Sequence, residues 1–168
     1  FKYDPLAANL GSSINIISSM IAFLYGFKGF NMTVDGACSS SFVALEIICN
    51  ALAVGDIEVG ITGGLDSNLN PEIMIGFSLL NAISPEQCLP FDSKTKGISL
   101  GEGAGIIILK RLEDALRDND RIWGVIKGIG SSSDGGRKAI FAPDPDGIKR
   151  SLHLALEDAN WNPDDIDY

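Results

Sequence analysis

Apolar residues recur at helical spacing in several stretches of the chain. Residues 12–25 place apolar side chains on one helical face, and Gly26 follows as a stop signal. Residues 39–53 are apolar nearly all round, which is typical of a helix buried between layers. Three further helices are predicted: a short one at 71–80 with Pro71 in its first turn, a turn or two at 112–117, and an amphipathic one at 146–159.

Short apolar runs between these helices predict strands, at residues 30–35, 57–62, 105–109 and 123–129. Glycine clusters at 63–64 and 101–105 predict tight turns at the ends of elements. Because strands alternate with helices and some strands are fully apolar, we expect a sheet that is covered on both faces. The predicted fold class is therefore α/β, without an internal repeat or a linker.

Length and charge narrow the classes of function. The 168 residues, 45% of them apolar, are enough for one compact core or for part of a larger one. The chain starts without a methionine and ends in a polar segment, so we interpret both ends as arbitrary cuts. A net charge of −9 argues against a nucleic-acid surface, and the most apolar stretch, residues 14–25, is too short to span a membrane. We expect neither nucleic acid nor a membrane as a partner.

The three cysteines are odd in number and lack the C-x-x-C spacing of zinc sites. Disulfides and a bound metal are therefore not expected, and a reducing, cytoplasmic location is the default. A free cysteine is usually a buried structural residue. Cys49, which lies mid-helix on an apolar face, and Cys88 fit that role.

Cys38 differs because it falls on a turn between a predicted strand and a predicted helix. The unpaired N–H groups at a helix start favour an anion, so a thiol there is expected to act as a thiolate. Its small neighbours, Gly36 and Ala37 before it and Ser39 and Ser40 after it, leave room for a substrate carbonyl. Backbone N–H groups of the turn would also stabilise the oxyanion of a tetrahedral intermediate. These features suit thioester exchange on Cys38.

Several sequence blocks carry a family resemblance. Residues 34–41, VDGACSSS, resemble the active-site stretch of β-ketoacyl synthases, whose modular polyketide members usually read D-T-A-C-S-S-S. Further blocks follow in the family's order, namely ITGG at 61–64, SP at 84–85 with LPFD at 89–92, GEGAGIIIL at 101–109, APDPDG at 142–147 and DDIDY at 164–168. The matching blocks cover nearly all of the chain.

The resemblance implies a thiolase-like fold of αβαβα layers in a homodimer. Residues 1–117 would belong to its N-terminal half and residues 118–168 to the start of its C-terminal half. It also implies that Cys38 takes an acyl chain from the phosphopantetheine of an acyl carrier protein, without another cofactor. Decarboxylation of malonyl-carrier protein would then give a carbanion that attacks the acyl-cysteine. The two histidines that normally assist this step would lie beyond Tyr168, so the chain alone is expected to be inactive.

Some positions depart from the family pattern. Gly36 stands where threonine is common, which would loosen the turn before the nucleophile. Lys96 and Ile98 replace the usual aspartate and aromatic residue, at a substrate entrance or a dimer surface. The C-S-S-S run resembles polyketide synthases, while SSSD at 131–134 and APDPDG resemble fatty-acid enzymes, so the product class stays open.

Other candidate residues have simpler interpretations. His153, the only histidine, is predicted to lie mid-helix at the surface and matches neither family histidine. The glycines at 101–105 lack the helix that must follow a dinucleotide loop. The aspartates near 144–146 and 164–167 suit helix capping better than calcium binding. The basic pairs 137–138 and 149–150 suit either an acidic carrier protein or a solvated surface.

Two rival functions remain open from the residues alone. One is an α/β-hydrolase with a cysteine nucleophile, since residues 36–40 resemble a nucleophile elbow in which Ser40 replaces the second glycine. The other is a non-catalytic homologue of condensing enzymes that serves as a dimer partner. The presence of Cys38 argues against that second alternative, because such partners typically lack the nucleophile.

Overall fold

A computed structural model describes residues 13–67, 69–136 and 142–167. Five α-helices follow one another along the chain: α1 (Ile16–Tyr25), α2 (Ser40–Val54), α3 (Pro71–Leu79), α4 (Leu112–Arg117) and α5 (Pro145–Ala159). Two strands, β1 (Val59–Asp66) and β2 (Gly103–Lys110), pair in one sheet, and short 3₁₀ turns occupy Ala37–Ser39 and Pro163–Asp165. All five predicted helices are confirmed, and the mixture of helix and strand is the predicted α/β class.

Local signals in the sequence set the helix ends. Gly26 and Gly55 follow α1 and α2 in the left-handed conformation, with φ of 67° and 81°, which costs glycine little. The side chain of Asn70 accepts a hydrogen bond from the N–H of Ile73 at 2.9 Å and caps α3. Asp144 caps α5 in the same way, accepting from the N–H of Asp146 at 3.2 Å.

Two of the four predicted strands are absent from the described residues. Neither 30–35 nor 123–129 forms a strand, although both are rich in apolar residues. A strand exists only through hydrogen bonds to a neighbouring strand, and these two segments have no such neighbour among the described residues. The apolar pattern therefore located the segments but not their pairing.

The glycine pair 63–64 and the glycines at 103 and 105 lie inside strands, so the prediction of turns at these positions was wrong. The structure gives a reason for one of them. A Cβ on Gly63 would lie 2.0 Å from the carbonyl oxygen of Gly105. Glycine is needed here because the two backbones approach too closely for any side chain.

The chain divides into two compact units. One comprises the described residues up to Gly60 together with those from Leu109 onward, and the other comprises Ile61–Ile108. Buried apolar side chains are few among the described residues: Ala51, Leu52 and Ala115. Among the described residues the apolar strands are not covered on both faces, since Ile108 of β2 is 71% exposed. Similarly, α2 has only two buried residues.

The segment Ala37–Val54, which contains α2, is long and apolar enough to cross a membrane by length and composition, with a mean hydropathy of 1.7 over 18 residues. The sequence-based expectation missed it because it considered only residues 14–25. The core helix of a soluble protein meets the same criteria. Glu46, midway along α2, accepts a 2.5 Å hydrogen bond from the hydroxyl of Ser131, so the helix carries a polar contact at its centre.

Arg111 joins the end of α2 to the start of α4. Its Nη1 donates to the carbonyl oxygens of Leu52 and Ile57, each at 3.0 Å, and its Nε donates to Asp114 at 2.6 Å. Desolvation raises the pKa of the buried Asp114, but hydrogen bonds from Arg111 and Arg117 outweigh it and hold that pKa below its usual value. The carboxylate therefore stays ionised and keeps Arg111 in place.

Replacing Arg111 by lysine is expected to lower the midpoint of thermal unfolding by several degrees. Lysine keeps the charge but cannot donate to two carbonyls and a carboxylate in one planar arrangement. Circular dichroism on heating measures the midpoint. Arg121→Lys is the matched control, because that guanidinium stacks on Trp123 at 3.7 Å and bridges no carbonyls among the described residues. Equal midpoints for the two variants would show that Arg111 does not stabilise the contact between α2 and α4.

Candidate active site

The structure places Cys38 in the 3₁₀ turn Ala37–Ser39, directly before α2, and leaves it exposed. The predicted position at a helix start is therefore confirmed. The first turn of α2 carries partly unpaired N–H groups and the positive end of the helix dipole. The exposed thiol of Cys38 therefore lies beside this end of the helix.

Hydrogen bonds from neighbouring side chains define the shape of this turn. The Asp35 carboxylate accepts from the N–H of Ala37 at 2.9 Å, and both the N–H and the hydroxyl of Ser39 donate to the Gly36 carbonyl, at 3.1 and 2.8 Å. The Ser40 hydroxyl accepts from the N–H of Gly36 at 3.0 Å and donates to the Ala37 carbonyl at 2.6 Å. These bonds hold the residues on either side of Cys38.

Ala37, immediately before the cysteine, has a φ of 52°. A non-glycine residue adopts this left-handed conformation only at a cost of about 1–2 kcal/mol. The surrounding hydrogen bonds offset that cost. The cysteine is thus presented by a turn whose backbone conformation depends on its side-chain contacts.

The backbone N–H of Cys38 donates to no acceptor within the described part of the chain, whereas those of Ser39 and Ser40 donate to Gly36 and Ala37. An N–H group without a partner next to an exposed thiol is available to bind the carbonyl oxygen of an acyl group on that sulfur, which is where an oxyanion would form. The N–H groups of Ser39 and Ser40 belong to the same turn, but they already donate to carbonyl oxygens within it.

Gly36 does not need the conformational freedom of glycine, since its φ is −124°. A Cβ at this position would lie 3.2 Å from Cγ2 of Val43, so a larger residue would require Val43 to move slightly. The predicted loosening of the turn by Gly36 is countered by the hydrogen bonds to both its N–H and its carbonyl.

The other two cysteines lie in less accessible places. Cys49, in α2, and Cys88, in the loop between α3 and β2, are both partly buried. Burial, and to a lesser degree the Asp158 carboxylate, raise the pKa of the Cys49 thiol. Cys49 therefore carries less thiolate at neutral pH than an ordinary cysteine.

Brief iodoacetamide treatment of the full-length protein near pH 7 is expected to label Cys38 before Cys49 and Cys88. Alkylation needs an accessible thiolate, and Cys38 is exposed at a helix start. The pKa of the Cys49 thiol is raised, so labelling of Cys49 should increase only at a pH above the range in which an ordinary thiol titrates. Peptide mass spectrometry at several pH values measures this, and equal labelling of all three at pH 7 would contradict it.

The histidine and the basic residues that were considered as candidates make contacts with neighbouring protein groups. His153 is exposed on α5 and faces Glu157 at 3.2 Å, which confirms the surface position. Lys149 lies 3.9 Å from Asp146, and Arg150 donates to the carbonyl of Ser133 at 2.7 Å. The other basic pair, residues 137–138, lies outside the described residues.

The segment before β2 positions a loop. Glu102 accepts a hydrogen bond from the N–H of Leu69 at 3.1 Å, and a strand rather than a helix follows, as expected for a segment that is not a dinucleotide loop. Ile98 forms an isolated β-bridge with Ile83. Lys96 lines a cavity of about 290 Å³, whose other lining residues are Ser84, Glu86, Gln87, Leu89 and Lys94.

Sequence reasoning missed the side chains that shape the turn. An Asp-Gly pair is a turn signal, so the carboxylate of Asp35 was open to prediction. The double hydrogen bond of Ser40 was not, because it depends on the backbone conformation of Ala37. Neither was the link from Arg111 to carbonyls more than 50 residues earlier in the chain.

Solved structures that share this fold include ketosynthases. A ketosynthase from module 6 of the bacillaene synthase of Bacillus subtilis 168 matches with a TM-score of 0.90 and 34% identity, covering 94% of this chain and 28% of that one. The ishigamide ketosynthase/chain length factor matches with a TM-score of 0.89 and 32% identity, covering 98% and 40%. The predicted thiolase-like fold is confirmed, and the class of protein is a ketosynthase.

Family models agree with this class. The model of the β-ketoacyl synthase N-terminal domain matches residues 4–115, and that of the C-terminal domain matches residues 123–168. A phenolphthiocerol/phthiocerol polyketide synthase of Mycobacterium tuberculosis is 37% identical over 96% of this chain and 9% of its own length. A PKS-NRPS hybrid synthetase of Aspergillus niger is 38% identical over 95% and 9%.

The chain belongs to the β-ketoacyl synthase family. It spans 9% of these two curated relatives and 28% to 40% of the two solved structures. The alternative of an α/β-hydrolase is therefore wrong. Membership also explains why α2 is so apolar, since the helix belongs to a fold of several layers.

Proposed function

We propose that this chain supplies the nucleophile of a decarboxylative Claisen condensation in polyketide biosynthesis. The observation that carries the proposal is the exposed Cys38 before α2, with a backbone N–H beside it that has no acceptor among the described residues. The polyketide synthases among the relatives favour a polyketide over a fatty-acid product.

The first half-reaction is an acyl transfer. The thiolate of Cys38 attacks the carbonyl carbon of an acyl thioester on the phosphopantetheine arm of an acyl carrier protein. A new bond forms between sulfur and carbon, the old thioester bond breaks, and the carrier thiolate leaves and takes up a proton. The N–H of Cys38 stabilises the intermediate oxyanion.

The second half-reaction joins two acyl units. Malonyl-carrier protein loses CO₂, the electron pair left on carbon attacks the acyl-cysteine carbonyl, and the Cys38 thiolate is released with a β-ketoacyl-carrier product. The family resemblance assigns charge stabilisation in this step to two histidines beyond Tyr168. His153 pairs with Glu157 on the surface of α5 and takes no part in the proposal. We propose that residues 1–168 alone do not condense malonyl units.

The proposal also covers partners. An acyl carrier protein delivers both substrates, and a second copy of the enzyme completes a homodimer, as the family resemblance implies. No further cofactor is needed, because each bond change is balanced by thiol, thioester and carboxylate. A cytoplasmic location remains a prediction from the unpaired cysteines.

Incubation of the full-length protein with an acyl-carrier thioester tests the first half-reaction. We expect the peptide that contains Cys38 to gain the mass of the acyl group, and the peptides with Cys49 and Cys88 to remain unmodified. Addition of malonyl-carrier protein should then remove the acyl group and release CO₂. Acylation elsewhere, or none at all, would overturn the proposal.

A second candidate is a non-catalytic homologue that pairs with an active ketosynthase. One of the matching solved structures is a ketosynthase/chain length factor, so that fold occurs in a protein named for both roles. Cys38 in an exposed turn favours the catalytic role. The acylation experiment separates the two, since a non-catalytic partner would take up no acyl group.

A further inference from the structure

We propose that Ser40 is a positioning residue, whose hydroxyl holds the backbone turn that presents Cys38. This inference rests on the proposed function for its catalytic meaning, but its geometry is independent of the substrate. Ser40 lies two residues after the nucleophile, at the first position of α2. Its hydroxyl contacts two residues that precede Cys38.

The hydroxyl acts as acceptor and donor at once. It accepts from the N–H of Gly36 at 3.0 Å and donates to the carbonyl of Ala37 at 2.6 Å. One oxygen atom that follows Cys38 in the chain thus binds the two residues that precede it. A serine hydroxyl has the one donor and the acceptor capacity that this arrangement requires.

Only one of these two contacts is unique to the hydroxyl. The Ala37 carbonyl also accepts from the backbone N–H of Ser40, so it keeps a partner without the side chain. The N–H of Gly36 donates only to the Ser40 hydroxyl among the described residues. Gly36 and Ser40 are both partly buried, which limits the access of water to the N–H of Gly36.

The hydroxyl of Ser39 differs in this respect. It donates to the carbonyl of Gly36, which also accepts from the backbone N–H of Ser39. Its removal leaves no backbone group without a partner. The contribution of Ser40 is therefore specific and is not shared by every serine of the C-S-S-S run.

Loss of the hydrogen bond from the Gly36 N–H to the Ser40 hydroxyl would allow a strained turn to relax. Ala37 has a φ of 52°, and the glycine before it has the widest backbone freedom of any residue. Without the Ser40 oxygen, these two residues relax toward commoner conformations and carry Cys38 with them. A displacement of about 1 Å at a nucleophile can cost about 100-fold in rate.

The test compares Ser40→Thr with Ser40→Val in the full-length protein. The two side chains have nearly the same shape, and only threonine keeps the hydroxyl. We expect Ser40→Val to acylate Cys38 about 10- to 100-fold more slowly at saturating acyl-carrier thioester, with KM little changed. Ser40→Thr should restore most of the rate. Ser41→Ala is the control, since its hydroxyl forms no hydrogen bond among the described residues and lies one position further along α2.

Alkylation of Cys38 by iodoacetamide gives a second readout that needs no enzymatic substrate. Slower alkylation in Ser40→Val, with an unchanged unfolding midpoint and recovery in Ser40→Thr, supports positioning. Equal rates in the Thr and Val variants would overturn it, as would a loss that follows the unfolding midpoint. If the wild-type protein takes up no acyl group, the proposed function fails, while the alkylation rates still decide the role of Ser40.

Discussion

Replacement of Cys38 by alanine is expected to remove acyl loading entirely and to lower the rate of condensation by about 10⁴-fold or more. No other cysteine of the described structure is exposed, so none replaces it as nucleophile. The measurement is the mass of the intact protein after incubation with an acyl-carrier thioester, together with the rate of β-ketoacyl product formation. We expect binding of the carrier protein to be nearly unchanged, because the substitution removes only one sulfur atom from an exposed turn.

Cys49→Ala serves as the matched control for that experiment. Cys49 lies on the same helix but is partly buried, and its thiol has a raised pKa. We expect this variant to load and condense at close to the wild-type rate. A Cys38→Ala protein that still gains the acyl mass would show that the nucleophile is elsewhere.

Replacement of Gly63 by alanine should have the largest effect on stability. A Cβ at this position would meet three backbone atoms of β2: the Gly105 oxygen at 2.0 Å, the Gly105 carbon at 2.9 Å and the Ile106 Cα at 2.9 Å. Backbone atoms cannot move aside as a flexible side chain does, so β1 and β2 would have to separate. We expect the free energy of unfolding to fall by about 3 kcal/mol or more.

Gly105→Ala is the control within the same sheet. A Cβ on Gly105 meets nothing within 4 Å, and neither glycine has a positive φ. Its effect on the free energy of unfolding should therefore remain within about 1 kcal/mol. Urea unfolding of the full-length protein measures both variants. A loss for Gly63→Ala as small as that for Gly105→Ala would mean that the sheet tolerates a side chain at Gly63.

The helices were open to prediction from the sequence because their signals are local. Gly26 and Gly55 end α1 and α2, and Asn70 and Asp144 cap α3 and α5 through contacts only two or three residues away. A short window of sequence contains all of this information. The position of Cys38 at a helix start follows from the same kind of signal.

The strands were less predictable because pairing joins distant parts of the chain. Residues 30–35 have the composition of a strand but no partner among the described residues. Conversely, Gly63 is a poor strand residue by propensity, yet it lies inside β1 because Gly105 approaches it. The periodicity of the sequence predicts neither the missing partner of residues 30–35 nor the close approach of the two glycines.

The position of the candidate site was predictable from the sequence, and the contacts that build it were predictable only in part. The small residues around Cys38 and its place at a helix start were visible in the sequence, although the strand predicted before it is absent from the described residues. The role of Cys38 as a nucleophile stays a prediction. The hydrogen bonds of Ser40 depend on the left-handed Ala37, a conformation that alanine rarely adopts. No pattern in the sequence predicts that conformation of Ala37.

The contact between Arg111 and α2 has a consequence for synthesis of the protein on the ribosome. The Leu52 carbonyl precedes this arginine by 59 residues. At a translation rate of roughly 10 residues per second, the guanidinium is made about 6 s after the helix that it secures. During that interval α2, an apolar helix, lacks its contact with Arg111. An exposed apolar segment of this kind is one that chaperones bind. The helix that follows the nucleophile is thus complete well before the arginine that secures its end is translated.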